Sequence, residues 1–86
     1  MDIIELIANV KKKLSDQIDA EDINIEDKSF LHKNHTGNEK GKFHLKLMIK
    51  SSQLRQMNKI ESNKKIYKIL NKELKENIHS LQIIIT

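Results

Sequence analysis

Histidines are the side chains best suited to chemistry in this chain, and three of the four lie in one stretch, DKSFLHKNHTGNEKGKFH. This stretch, residues 27–44, also holds both glycines. A neutral imidazole can accept a proton or bind a metal ion, so the stretch is a candidate general-base or metal site. His32 and His35 are three residues apart and could bind one ion together, although zinc sites usually need four ligands or an acidic partner. The alternative is that these histidines are simply solvated.

The other two histidines occupy different sequence contexts. His44 falls in a predicted strand, on the solvent-facing side, where a solvated role is the simplest interpretation. His79 lies between Ile78 and Leu81, at a predicted junction of helix and strand. It is therefore either a packed, hydrogen-bonded histidine or one directed outward at a functional edge.

The sequence does not predict an enzyme. A serine or cysteine nucleophile needs a base held by a third group, and no nucleophile motif such as G-x-S-x-G is present. The absence of cysteine excludes disulfides and thiolate ligands from this chain and fits a reducing compartment. Gly37 and Gly41 fit neither the phosphate-binding loop nor the dinucleotide-binding pattern. Acidic residues around the end of the first predicted helix are typical of a solvated connector: Asp16, Asp19, Glu21 and Asp22.

The charge balance leaves two interpretations open. The net charge is +4, and Arg55 is the only arginine among the 16 basic residues. This balance fits either a lysine-rich solvated surface or a face that binds nucleic acid. Bases would have little to stack on, because the aromatic residues are limited to Phe30, Phe43 and Tyr67. Lysines at helical spacing could follow a phosphate backbone: Lys64, Lys65, Lys68 and Lys72.

Hydrophobic periodicity predicts an amphipathic helix and two strands in the first part of the chain. Ile23 and Ile25 alternate with polar residues, which is the period of a short, half-buried strand. The segment KFHLKLMIK gives a clearer strand, with apolar residues at alternate positions from Phe43 to Ile49. The helix precedes both strands, and its apolar face is predicted to contain Ile3, Ile7, Val10, Leu14 and Ile18.

The second part of the chain predicts one long helix and a final strand. The helix should follow a turn at SSQL and end near Asn77. HSLQIIIT is typical of a strand, with Leu81, Ile83 and Ile85 on one face. The apolar face of the long helix is predicted to contain Met57, Ile60, Ile66, Tyr67, Ile69, Leu70 and Leu74.

This element order predicts an α+β fold of αββαβ type, in which both helices cover one face of a three-stranded mixed sheet. Whether the last strand lies beside the first or the second is left open. No proline or low-complexity linker divides the chain, so residues 1–86 are expected to form one domain. Acidic residues precede the first basic residue, unlike a secretory signal, and no apolar run approaches a membrane span. A soluble, cytoplasmic protein is therefore expected.

Four segments together resemble the BolA-like protein family: DKSFLHKNH, HLKLMIKS, KIYKILNKEL and IHSLQI. The last is close to the Val-His-Ala-Leu signature of that family, and the resemblance covers about residues 22–85. It implies a single BolA-like domain, similar to the type II KH fold, with the same order of helices and strands.

The resemblance also implies a function and a set of ligands. Proteins of this family pair with monothiol glutaredoxins and share a [2Fe-2S] cluster, for which glutaredoxin and glutathione give sulfur ligands and the BolA-like protein gives nitrogen. His79 matches the signature histidine, and His32 matches the loop position of the second ligand. His35 matches a further loop histidine and is the substitute ligand. No cluster is expected in the isolated protein.

One segment departs from the family pattern. Where the family usually has Arg-His-Arg at the start of the long helix, this chain has Ser62, Asn63 and Lys64. The substitution weakens the basic patch, because a lysine does not replace the planar fork of an arginine. A DNA-binding transcriptional regulator that uses the lysine-rich helix face is therefore the alternative function, and a cluster-sharing partner is the preferred one.

Overall fold

The computed structural model describes residues 2–29 and 42–86. Within them, no helix is long and apolar enough to cross a membrane. The predicted α+β fold with a three-stranded mixed sheet is confirmed. In chain order the elements are α1 (Ile3–Gln17), β1 (Asp22–Asp27), β2 (Phe43–Lys50), α2 (Ser52–Arg55), α3 (Lys59–Ile69), α4 (Asn71–Glu76) and β3 (Ile78–Ile85).

Helix α1 is capped at its N-terminus by Asp2. The Asp2 carboxylate accepts a hydrogen bond from the Glu5 backbone N–H at 2.8 Å, and Glu5 places negative charge in the first turn. Leu6, Val10 and Leu14 are fully buried. The innermost face therefore passes through Leu6, while the predicted positions Ile3 and Ile7 pack at its margin.

The sheet has the order β1-β2-β3, which answers the question that the sequence left open. Strand β2 pairs antiparallel with β1 and parallel with β3. A parallel pair needs a long crossover connection, and α2, α3 and α4 supply it. Alternate residues of each strand face the helices and form one core, with Ile25, Leu47 and Ile83 in one row across the sheet.

The prediction of one long helix after a turn at SSQL was wrong. Two helices, α3 and α4, occupy that region with a break at Leu70, and SSQL forms the short helix α2 instead of a turn. Ser51 caps α2 through its side-chain oxygen, which accepts the Leu54 N–H, and it donates to the Asp19 carbonyl at 2.8 Å. Asn58 then caps α3 by accepting the Glu61 N–H at 2.8 Å. The extended backbone of Asn58 lies where the predicted helix would need a helical residue. The predicted end near Asn77 is confirmed, since α4 ends at Glu76.

The predicted apolar face of the long helix was wrong at two positions. Ile60 and Tyr67 are 69% and 44% exposed. Ser62 faces the core together with Ile66 and Leu70, which are two of the predicted positions. Ser62 is accommodated there because its hydroxyl donates to the Lys59 carbonyl at 3.0 Å.

An ion pair joins the first helix, α1, to the last helix, α4. Lys13 Nζ of α1 lies 2.6 Å from Glu73 Oε2 of α4, and the Glu73 side chain is only 6% exposed. Its second oxygen, Oε1, is buried and has no hydrogen-bond partner among the described residues. The carboxylate therefore depends on Lys13 to compensate its loss of hydration.

Replacing Lys13 with methionine should lower the free energy of unfolding by about 1 to 3 kcal/mol, because it leaves a buried carboxylate without its cation. Urea unfolding followed by circular dichroism measures this. Lys11→Met, the same change at an exposed position of α1, should cost less than about 0.5 kcal/mol. Replacing both Lys13 and Glu73 with methionine should recover most of the loss. Equal effects of the two single variants would contradict the role given to the ion pair.

Candidate metal-binding site

The candidate site lies where α4 passes into β3. Asn77 is the C-cap of α4, and its carbonyl accepts a hydrogen bond from the Phe43 N–H at 2.9 Å, which fixes the first residue of β2 beside this junction. Ile78 follows and is buried in the core. The two residues that precede His79 are therefore fixed, Asn77 by its backbone hydrogen bond and Ile78 by its burial.

A β-bulge sets the direction of the His79 side chain. Phe43 pairs with Ile78, but the next residue, His44, pairs with Ser80, so His79 is opposite no residue of β2. The reason is visible in the apolar spacing: Ile78 and Leu81 both pack in the core although they are three positions apart. A strand has a period of two, and one extra residue must be accommodated between them.

The bulge brings two histidines together on the sheet face opposite the helices. The ring centroids of His44 and His79 are 4.8 Å apart, with planes tilted by 56°. His79 is exposed, whereas His44 is only 6% exposed. Nδ1 of His44 is hydrogen-bonded to Ser80 Oγ at 2.7 Å. One imidazole is therefore held in place, and the other lies beside it and is accessible to a partner.

The prediction that His44 is solvated was wrong. The sequence placed it on the correct face of β2 but did not predict its burial, which depends on residues far away in the chain. The signal that could have identified it is the three-residue spacing from Ile78 to Leu81, because a bulge there turns two successive side chains towards the β2 position occupied by His44.

Ser29, near the start of the histidine-rich stretch, is hydrogen-bonded to His44 at its end. Its hydroxyl accepts the His44 backbone N–H at 3.1 Å, and the His44 carbonyl accepts the Lys28 N–H at 2.7 Å. The Ser29 N–H in turn donates to Asp27 Oδ1 at 2.9 Å. These bonds explain a structural need for serine in DKSFLH: it fixes the chain leaving β1 against the start of β2.

Charged groups beside the site are paired along β1. Lys28 Nζ lies 2.8 Å from Glu26 Oε2. The hydrogen bond from Lys28 and its positive charge lower the pKa of Glu26, so this carboxylate is ionised at neutral pH.

The structure describes only some of the predicted site residues. His79 lies at the bulge, whereas the predicted ligands His32 and His35 lie outside the described residues. Within residues 2–29 and 42–86, no group of three histidine, aspartate or glutamate side chains could hold a metal ion. The predicted lysine stripe is divided between two helices, with Lys64, Lys65 and Lys68 on α3 and Lys72 on α4.

Known proteins share both the sequence pattern and this fold. The family model described as BolA-like protein matches residues 14–86. The DNA-binding transcriptional regulator BolA of Haemophilus influenzae is 30% identical over 74 residues, which are 86% of this chain and 69% of that protein.

Two solved structures give the same result at the level of the fold. The BolA domain of SufE1 from Arabidopsis thaliana is 26% identical, with a TM-score of 0.76 over 92% of this chain and 87% of that one. BolA1 from Arabidopsis thaliana is 24% identical, with a TM-score of 0.77 over 93% and 88% of the two chains.

Replacing Ser80 with alanine should lower the free energy of unfolding by about 1 to 2 kcal/mol, because the buried His44 ring loses a hydrogen-bond partner. Urea unfolding of Gln82→Ala is the matched control, since Gln82 is the next exposed residue of β3 on the same face. It reports the intrinsic cost of alanine in a strand. If both variants lose the same stability, the His44–Ser80 hydrogen bond does not contribute.

Proposed function

Because the chain belongs to the BolA-like protein family, we propose that it is a non-enzymatic partner of a monothiol glutaredoxin and co-ligates a [2Fe-2S] cluster through histidines. The role would lie in iron-sulfur cluster assembly and trafficking or in iron regulation. The observation that carries the proposal is the exposed imidazole of His79, set at a β-bulge beside the buried imidazole of His44.

The donor atoms of this chain fit a shared cluster. The chain has no cysteine, so its contribution is imidazole nitrogen, and the sulfur ligands would come from the glutaredoxin and glutathione. Histidine replaces cysteine on one iron of some [2Fe-2S] centres and raises their reduction potential, which is the chemistry that such a group supplies. An exposed ligand suits this arrangement, because the partner must approach the same metal from outside.

His44 and Ser80 support His79 in this proposal. The buried His44 ring lies against the His79 ring, and its bond to Ser80 anchors the strand immediately after the ligand. Residues that fix the orientation of a metal ligand commonly matter for affinity as much as contacts to the metal do. We assign His44 a positioning role on this basis.

The second ligand in the proposal is His32, with His35 as the substitute. Both choices rest on the match of DKSFLHKNH to the loop of the family, since these two histidines lie outside the described residues. Ser29, three positions before His32 in the same segment, is held against His44 by a hydrogen bond.

Cluster loading tests the proposal. The protein is mixed with a monothiol glutaredoxin, glutathione, iron and sulfide, and visible circular dichroism is compared with that of the glutaredoxin homodimer. A distinct heterodimer spectrum is expected, and His79→Ala should abolish it. His32→Ala should weaken it, with a further loss when His35 is also replaced. Because His79 is exposed, its removal should change the free energy of unfolding by less than about 0.5 kcal/mol.

Gln82→Ala is the control for a side-chain truncation on the same face, and it should leave the heterodimer spectrum unchanged. An identical spectrum for wild type and His79→Ala would exclude His79 as a ligand. A glutaredoxin spectrum that the wild-type protein does not alter would contradict the shared cluster itself.

Two observations favour DNA binding as the second candidate. A relative is named as a DNA-binding transcriptional regulator, and Lys64, Lys68 and Lys72 are exposed along the helical layer. Against it, position 62, at the start of the expected Arg-His-Arg segment, holds a buried serine that cannot contact phosphates. Lysines alone would give affinity without base recognition.

Duplex binding measured against salt concentration tests this candidate. If Lys64 and Lys68 contact phosphates, replacing both with glutamine should reduce the slope of log K against log salt by about 2. Replacing Lys46 and Lys50, on the sheet face opposite the helices, gives the same change in charge and should leave the slope nearly unchanged. Equal slopes for both double variants would exclude a specific role for the α3 lysines.

A further inference from the structure

Strand β3 has an open edge at the end remote from His79. It pairs with β2 only, and it is the last strand of the sheet among the described residues. The Thr86 N–H donates to the Ile49 carbonyl, and the Thr86 carbonyl accepts the Ser51 N–H, so both groups point to β2. Because these groups alternate in direction along a strand, the N–H and carbonyl groups of Ile83 and Ile85 point to the open side.

The two edges of the sheet differ in how they are protected. Strand β1 is the other edge, and its sequence DINIED places acidic side chains along a short strand. Charge and short length are the usual means of preventing an edge from pairing with another chain. The end of β3, Ile83 to Ile85, has neither a charge nor a proline. An edge of this kind is suited to receive an additional strand.

A groove of about 450 Å³ runs beside this open edge, between β3 and the α2–α3 region. We name it the β3 groove. Its apolar lining comes from Met57 and the β3 isoleucines, with the buried Leu54 beneath them. Its charged lining residues are Arg55 and Lys59, both exposed, and no acidic residue contributes to the lining described. The Arg55 guanidinium also donates a hydrogen bond to the Thr86 carbonyl, which holds this cation at the end of β3 and leaves its other N–H groups for a partner.

We propose that the β3 groove binds an extended, acidic segment of a partner protein, which adds as a fourth strand to the sheet. Backbone groups of the segment would pair with those of Ile83 and Ile85, and alternate apolar side chains would enter the groove. Carboxylates on the segment would face Arg55 and Lys59. The charge of the groove is what selects an acidic occupant.

The same charge argues against a second copy of this chain. Symmetric pairing of two β3 strands would bring two Arg55 and two Lys59 side chains together, on molecules that each carry a net charge of +4. Single-stranded nucleic acid is also a poorer fit, because no aromatic side chain lines the groove for bases to stack on.

This binding surface goes beyond the proposed function and does not rest on it. His79 is six residues from Ile85, which is about 20 Å along a strand. A segment bound at the β3 groove would therefore leave the histidine site accessible. The two sites could hold two proteins, or two parts of one.

A fluorescein-labelled octapeptide of alternating valine and glutamate tests the proposal by fluorescence anisotropy. Saturable binding is expected, and valine-lysine and fully N-methylated valine-glutamate peptides should bind at least about tenfold more weakly, because they lack the charge or the backbone donors. Replacing Arg55 and Lys59 with glutamate should weaken binding of the acidic peptide to a similar extent. Replacing Lys72 and Lys75, exposed residues of α4, with glutamate is the control of equal charge and should change binding little.

Amide hydrogen exchange measured by NMR locates the bound peptide. It should slow exchange at Ile83 and Ile85, while Thr86, already bonded to β2, changes little. Absent binding, equal binding of the valine-lysine peptide, or protection elsewhere would overturn the proposal. Protection of Ile83 and Ile85 without peptide, with a dimer in sedimentation, would identify a second copy as the occupant. Protection by oligothymidylate but not by the peptide would identify nucleic acid. None of these results depends on cluster loading at His79.

Discussion

The pairing of β2 with β3 is the constraint on which the rest of the molecule depends. Ile78 and Leu81 must both enter the core, yet the period of a strand cannot bury two residues three positions apart. The extra residue forms a bulge directly after the first residue pair of the two strands, Phe43 and Ile78. After the bulge the strand alternates regularly, and Leu81, Ile83 and Ile85 pack into the core beside β2. At the bulge itself, His79 and Ser80 are both directed to the sheet face opposite the helices, where they contact His44.

The bulge places a buried, hydrogen-bonded histidine next to an exposed one. His44 is buried, its ring bonded to Ser80 and its backbone bonded to Ser29 and Lys28. His79 is exposed and lies against it. A rigid histidine under an accessible one is an economical way to orient a ligand on a small domain, whose limited core leaves few positions for buried polar groups. Both ends of β3 then carry distinct surfaces, the histidine site at one and the β3 groove at the other.

Local sequence patterns were sufficient for most of the architecture, and the motifs were sufficient for the family. Alternation gave the faces of β1 and β2, the three-to-four residue period gave α1, and IHSLQI pointed to the family that the comparisons confirm. The pattern failed after Ser51, where it predicted a turn and one long helix and the chain forms three shorter helices. The cap at Asn58 sets the start of α3, and Ser51, which caps α2, also donates to the Asp19 carbonyl, 32 residues away.

The sequence by itself therefore determined the element types, the family and the choice of His79, since these depend on local periodicity and on a contiguous motif. Only the tertiary structure decided that β3 lies beside β2, that His44 is buried under His79, and that the end of β3 leaves an open edge beside basic side chains. The physical reason is that each of these depends on contacts between distant segments. Strand order and burial follow from how apolar faces pack together, which no single segment specifies.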